Sequence, residues 1–578
     1  MKPFKLQMAL ISVFLLVMVS SFYLNDAKQS NKAPTNYIPF PGTASFCAAI
    51  YNPADSALEI PALKGWGDYH FKISTESDSA QYYFDQGLSM YYAFHNIEAI
   101  ASFAKATRFD PQCAMAWYGK ALALGPTINH SNSYQAPAEA LEAAVKSRDL
   151  MGGCTEVEKD LIMAMEYRYR PDSTLSLPQL RSNYADAMKM AYDRHQDNAD
   201  VMALYADALL LMHPWDLYTQ DHEPKPWTPE IRSVLEQVLA IAPSHPGANH
   251  YYIHTMEASL NPEAALPSAR VLDTLMPLVS HITHMPSHIY VRTGNFQKGM
   301  RVNNLAVAGF KQYLKAYAPV MDGFGLYQVH NIHLKNNCAQ MAGNYRIAAA
   351  TADTIQSLIP PAFLAMKSGD GNYMQELYAQ PIITKVRFGK WGAILKMPVI
   401  DTLPYVNALQ LFARGMAYSR LNNPAAAALE LQALEEKMKD QTLTLNLDNF
   451  SAPYDVLVVA SFILKGAMAE DQQRYDEAIN LYSQAVGAED SLIYIEPRSW
   501  LLPSRQYLGN ALLKAGENEK AIAVFKEDLA VTANNGWSLT GLKQAYLNTN
   551  NKMALANIRP KLKEAWAVKD VVVKAAVY

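Results

Sequence analysis

The chain has 578 residues, half of them hydrophobic, and a formal net charge of −4 with no basic cluster. That length and apolar content supply a large buried core and set disorder aside, and the charge leaves no electrostatic footprint for nucleic acid. Lys2 and Lys5 precede a mostly apolar run from Met8 to Leu24 and a polar NDAKQSNK stretch, the order of regions in an export signal. Residues 1–27 are therefore expected to be a signal peptide or an N-terminal anchor, with the mature chain exported to the periplasm or cell envelope. Membrane contact is expected only through that segment. The four cysteines, Cys47, Cys113, Cys154 and Cys338, all lie beyond it. An oxidising compartment permits bridges without requiring them, and Cys113 with Cys154 is the favoured pair because both flank helices expected to be neighbours.

Residues 28–74 are rich in Pro, Gly, Asn and Ser without a helical period and read as an extended lead-in. Regular structure is expected from about Asp78. The segment YYFDQGLSMYYAFHNIEAIASFAKATRFDP shows two amphipathic helices broken at His95 and Asn96 and closed by Pro111. Further on, 75–245 reads as N-terminal repeats with inserted loops, 246–350 as a histidine-rich centre, 351–404 as connecting helices and a loop, and 405–570 as C-terminal repeats. Three Pro- and Gly-rich segments interrupt the pattern: Pro126 to Pro137, His213 to Trp227 and Ile359 to Asn372. Each is a connector or a lid.

Gly87, Ala99, Phe103, Ala106 and Pro111 are spaced as small, Ala, aromatic, Ala and Pro in a 34-residue helical-hairpin unit. Gly466, Ala478, Tyr482 and Ala485 repeat the spacing, as do Gly509, Ala521 and Phe525; Gly415 with Ala427 is a weaker copy, and Trp537 and Gly541 begin a last unit. Small residues let the two helices of a unit approach, and the aromatic fills the gap to the next unit. Over roughly residues 75 to 570 the chain thus resembles tetratricopeptide repeat proteins. The combination of ALALGPTIN, HPWDLY, ANHYYIH, HMPSHIYVRTG and HNIH resembles a bacterial subfamily of exported, histidine-rich members. The resemblance implies an all-α solenoid of helical hairpins, a right-handed superhelix with a concave groove.

Seven of the fourteen histidines fall in one stretch: His250, His254, His281, His284, His288, His330 and His333. Within each group they are three or four residues apart, which puts each group on one face of a helix. Such units line their groove with the second, fifth, ninth and twelfth residues of the first helix, as the resemblance implies. Counted back from Gly299 and Ala348 and forward from Pro246, all seven histidines and Glu257 take those slots.

Imidazoles converging from rigid helices point to one or two transition-metal ions, Cu, Zn or Fe. Seven histidines exceed one ion's needs, leaving room for two metals or for acid–base groups. Glu257 is the candidate general base or a further ligand, and Tyr251, Tyr252, Tyr290, Asn331, Asn336 and Asn337 are candidate orienting partners. The remaining histidines, His95, His213 and His245 among them, read as core, surface or helix-end residues, and Arg292 and Arg301 as solvated charges before anion ligands. No G-x-S-x-G, P-loop, H-E-x-x-H or C-x-x-C motif is present. Two functions remain open: a metal-dependent redox or hydrolytic enzyme acting on a small molecule or peptide, and a metal-independent scaffold that binds a peptide or protein partner in its groove.

Overall fold

A computed structural model describes residues 59–130, 134–170, 174–319 and 326–578, all within one compact unit, Ala44–Tyr578. The expected export segment, residues 1–27, and Cys47 lie outside the described residues. Helix α1 (Asp78–Tyr92) starts at Ser77, whose hydroxyl accepts from the Ala80 amide, so the first orphan donors of the helix are met locally. It ends where Phe94 takes a left-handed backbone, φ 57°, and α2 (Asn96–Phe109) starts two residues later. The break falls at His95 and Asn96, where the amphipathic pattern changes phase. Among the described residues the β structure is a single bridge between Tyr218 and Pro224, and the chain is otherwise a succession of helices, each packed on its neighbours.

Packing inside the hairpins explains the spacing of small and aromatic residues. Gly87 of α1 and Gly119 of α3 (Ala114–Ala123) both face the Phe103 ring of α2. A Cβ on Gly87 would come within 2.9 Å of that ring and one on Gly119 within 2.2 Å. One aromatic therefore wedges between two first helices, and only glycine admits it. The same device recurs at the other end, where Phe525 fills the space beside Gly509 and Gly541, and Tyr482 lies against Gly466.

The described part of the lead-in, 59–77, holds no helix and runs across the array: the Leu63 amide donates to Gln86, and the Lys64 carbonyl accepts from Tyr313 of a helix 249 residues away. Between the helices Ala199–Met212 and Thr228–Ile241, residues 213–227 form a loop as expected. The segment 359–372 is not a loop throughout, because Pro361–Leu364 and the start of Gly369–Tyr378 are helical; Ser368 caps the second helix by accepting from the Gly371 amide. No described helix is long and apolar enough to cross a membrane.

The array closes upon itself. The Arg292 guanidinium donates to the Val531 carbonyl, the Ala533 amide donates back to the Arg292 carbonyl, and the Trp537 indole donates to Gln340. The face expected to be an open groove is consequently core. Cys113 and Cys154 are free thiols, so the expected bridge is not formed; burial pushes both pKa values up to about 11.

Candidate metal centre

Four helices bring the histidines together. His250 and His254 sit four apart on one face of α4 (Pro246–Met256), and Glu257 caps its C-terminal end. Helices α5 (Ser280–His284) and α6 (Pro286–Arg292) meet at Met285, whose helical backbone lets them run on as nearly one rod. Pro286 opens α6 at the position where its missing N–H costs least. That rod carries His281, His284 and His288; α7 (Phe296–Ala316) follows it, and α8 (Leu326–Met341) carries His330.

Six imidazoles, none more than 5% exposed, form two triads. His250, His254 and His281 make the first; His284, His288 and His330 make the second. In each, the three ligand nitrogens lie within 4.8 Å of one another. The His250 Nε2 is 3.1 Å from both His254 Nε2 and His281 Nε2. A tetrahedral ion with metal–nitrogen bonds of about 2.0–2.1 Å spaces its ligands about 3.3 Å apart, so this spacing is that of a coordination shell. The triads adjoin, with ring centroids of His281 and His284 5.0 Å apart and those of His254 and His288 5.8 Å apart.

Hydrogen bonds behind the rings decide which nitrogen of three of them carries the proton. The His250 Nδ1 lies 2.6 Å from the Tyr92 carbonyl, which only accepts, so Nδ1 must carry hydrogen and Nε2 a lone pair. Glu257 receives His254 Nδ1 on one oxygen at 3.0 Å and His288 Nδ1 on the other at 2.5 Å. This one carboxylate therefore turns a lone pair of each triad inward. The result is a lone pair of His250 facing a lone pair of His254 at 3.1 Å. His281, whose Nδ1 has no partner, can donate to His250 through Nε2 but relieves only that one contact. In the second triad the His288 Nε2 and both nitrogens of His284 are buried without a partner.

Protonation is not the natural relief. Burial holds the pKa values of His250, His281, His284 and His330 well below the usual imidazole range, with neighbouring imidazoles adding to the effect, and burial also lowers that of His254. His288 is the exception: burial works to lower its pKa, but the Glu257 carboxylate overrides it and raises the value. Burial would raise the Glu257 carboxyl, yet His288 and His254 hold it down at about 2.

His333 lies outside both triads. Three residues beyond His330, its side chain is turned around the helix toward Gln380, at the start of α9 (Gln380–Arg387), and burial lowers its pKa to about 4. Glu257 sits behind the imidazoles with both oxygens engaged. The expected orienting side chains mostly bond elsewhere: Tyr252 to Glu236, Tyr290 to Asp273, Asn331 to Ser280, and Asn336 to Ala348 and Thr351. The Tyr251 hydroxyl has no partner, and Asn337 lines a narrow cavity beside Arg292. Arg301 is half exposed and paired with Asp273, whereas Arg292 is buried.

Four contributors escape sequence reasoning. The Tyr92 carbonyl has no side-chain signature. His95, read as a helix-end residue, accepts from the His281 amide at 3.3 Å, donates to Glu98 and stacks on Tyr327. Tyr494 and Glu496 come from the far half of the chain, the Tyr494 hydroxyl donating to Glu496, which exerts a field on His288. His245 caps an amide, that of Ala248, and not a carbonyl, while His213 stacks on Trp227.

A cavity of about 330 Å³ reaches the centre. Its walls include His254, Glu257, Tyr494 and, from the 213–227 loop, Trp215 and Tyr218. The Trp215 ring meets His254 edge-on at 5.2 Å, so the loop forms a wall of the one approach described.

No family model matches the sequence, and no curated protein matches it. Among solved structures, a human IFIT1 dimer with m7Gppp-AAAA aligns at 13% identity over 86% of this chain and 92% of that chain, with a TM-score of 0.29. The APC/C hetero-tetramer Cut9–Hcn1 aligns at 14% identity over 86% and 88%, TM-score 0.28, and yeast Tom70 at 10% over 83% and 92%, TM-score 0.27. Likenesses this remote leave the architecture resting on the chain's own hairpins.

Proposed function

We propose that this chain is an exported helical-repeat protein whose two imidazole triads bind transition-metal ions, one per triad, for redox chemistry on a small molecule entering from the adjoining cavity. The observation that carries this reading is the contact between His250 and His254. Two lone pairs, fixed inward by the Tyr92 carbonyl and the Glu257 carboxylate, face each other at 3.1 Å in a buried site. An arrangement of that kind is repulsive without a cation between the nitrogens, and burial disfavours a proton there.

The donor set is nitrogen alone, without thiolate, which suits Cu, Fe or Zn, and of these Cu and Fe can carry redox chemistry. Redox chemistry is preferred over hydrolysis because the carboxylate a hydrolytic site would use as base, Glu257, has both oxygens occupied by imidazole N–H groups. Within this scheme the chain's own residues have distinct tasks. Tyr92 and Glu257 orient the ligands, Phe94 packs on the His250 ring and excludes water, and Trp215 and Tyr494 shape the substrate's approach. A metal-independent scaffold for a partner protein would have to use other faces of the array, since none of the six imidazoles is more than 5% exposed.

The test is metal analysis of the full chain after loading in turn with Cu, Fe and Zn. The expected content approaches two ions, falling by one in His254→Ala and by one in His284→Ala. Less than about 0.2 ion per chain after careful loading would overturn the proposal.

A further inference from the structure

The cavity that touches His254 does not end there. A second one, of about 210 Å³, shares Gln220, Ile493 and Tyr494 with it and is lined at its inner end by Arg498 and Trp500. Tyr494 therefore stands between the imidazoles and a guanidinium. We propose that this second cavity binds an oxyanion, the carboxylate or phosphate of a small substrate, on Arg498 with Arg292 behind it. The inference rests on the metal-centre reading for the word substrate, but not for the anion site itself.

Arg498 Nη2 is buried and has no hydrogen-bond partner, and among the described residues no carboxylate lies within ion-pairing distance of its guanidinium. Arg292 is nearly as bare of counter-charge: each of its three nitrogens donates to a carbonyl, those of Glu257, Ser259 and Val531. The two guanidinium groups flank the Tyr494 ring, 5.5 and 5.7 Å from its centroid. Burial first, and then the nearby Arg292 guanidinium, disfavour the charge on Arg498. Two buried or half-buried cations on one tyrosine ring, neither of them in an ion pair among the described residues, call for an anion.

The acids nearby do not supply it. Asp490 is held by Arg505 through two bonds of 2.6 and 2.8 Å, and Glu257 is shared by two imidazoles. Glu496 accepts from the Tyr494 hydroxyl and is pushed toward its neutral form by burial; Glu489, which accepts from the Ser504 amide, is raised by burial to about 7. Asp221 lies exposed at the rim. An oxyanion in this cavity would lie against the Arg498 guanidinium, and the rest of a small molecule would extend past Tyr494 toward His254.

Calorimetric titration of the full chain with benzoate, inorganic phosphate and neutral benzamide tests this, run on metal-loaded and metal-stripped protein with metal content measured on each sample. Benzoate or phosphate is expected to bind in both forms, benzamide at least ten-fold more weakly. Arg498→Gln should lose at least ten-fold in anion affinity with its metal content unchanged, while Arg498→Lys should retain part. Preference for benzoate or for phosphate separates a carboxylate from a phosphate substrate. The proposal is overturned if neither anion binds, or if Arg498→Gln binds them as tightly as the parent. Anion binding that persists in a protein unable to take up metal would sink the metal centre alone.

Discussion

Replacing Glu257 by Gln exchanges one oxygen for an NH2 group and bears on both triads at once. The carboxylate accepts from His254 on one oxygen and from His288 on the other. A glutamine keeps one acceptor and turns an NH2 group toward the remaining imidazole. That imidazole must then present Nδ1 as acceptor, which moves its proton to Nε2 and removes one ligand lone pair from one triad. Loss of such an outer partner weakens metal binding by about 10- to 100-fold, or about 1.4–2.7 kcal/mol. The Glu257 carboxyl, held at about 2, stays ionised above about pH 4, so the parent keeps this bracing charge throughout the working range. Competition against a chelator of known affinity measures it, with the metal-free unfolding midpoint as a control for damage to the fold. Equal affinities of parent and Glu257→Gln for every ion tried would refute the bracing role, and with it the proton placement on which the metal centre depends.

Three further outcomes follow from the packing and charges described. In metal-free protein, stability should fall as pH is lowered through about 6.5, because the unfolded chain then binds protons that the buried His250, His281, His284 and His330 do not; each such group contributes a slope of about 1.4 kcal/mol per pH unit. His333 adds to the same trend until its folded value near 4 is reached, His288 opposes it, and a urea midpoint that stays level from pH 7 to 5 would contradict the assignment. Gly119→Ala should destabilise the first hairpins by about 1–3 kcal/mol, since the new methyl would lie 2.2 Å from the Phe103 ring, and a mutant as stable as the parent in chemical denaturation would show that the ring can move aside. His333→Ala should leave metal content unchanged, as this imidazole belongs to neither triad; loss of an ion would return it to the ligand set.

Much of the local structure was legible from the chain because it is set by neighbours in sequence. The break at His95 and Asn96 and the pairing of glycines with Phe103 and Phe525 both follow from periodicity and side-chain size. The histidine spacing also named the right faces of α4, α5 and α6, since three- and four-residue steps are local geometry. What could not be read was which face would be covered. The closing contacts join residues more than 150 positions apart, and the groove they fill looks open when each hairpin is taken alone. The orienting groups were misassigned for a related reason. Tyr and Asn beside a histidine in sequence point away around the helix, and the groups that do orient the rings are a backbone carbonyl of α1's end and one carboxylate shared across two helices. His330 and His333 show the limit of spacing: both sit on α8, but one turn of drift separates a member of a triad from a neighbour of Gln380.

The self-closure of the array changes how it should respond to damage. In a solenoid whose units touch only adjacent units, energies add along the chain and an end unit can be trimmed with local effect. Here the His250 imidazole is tied to a carbonyl 158 residues earlier, the Tyr327 hydroxyl to one 233 residues earlier, and the Arg292 guanidinium to one 239 residues later. Those ties convert a modular chain into a cooperative one, in which damage to a distant hairpin reaches the centre. The two triads and their Tyr92 brace draw on residues from Tyr92 to His330, so the six imidazoles meet only once that whole stretch has folded together.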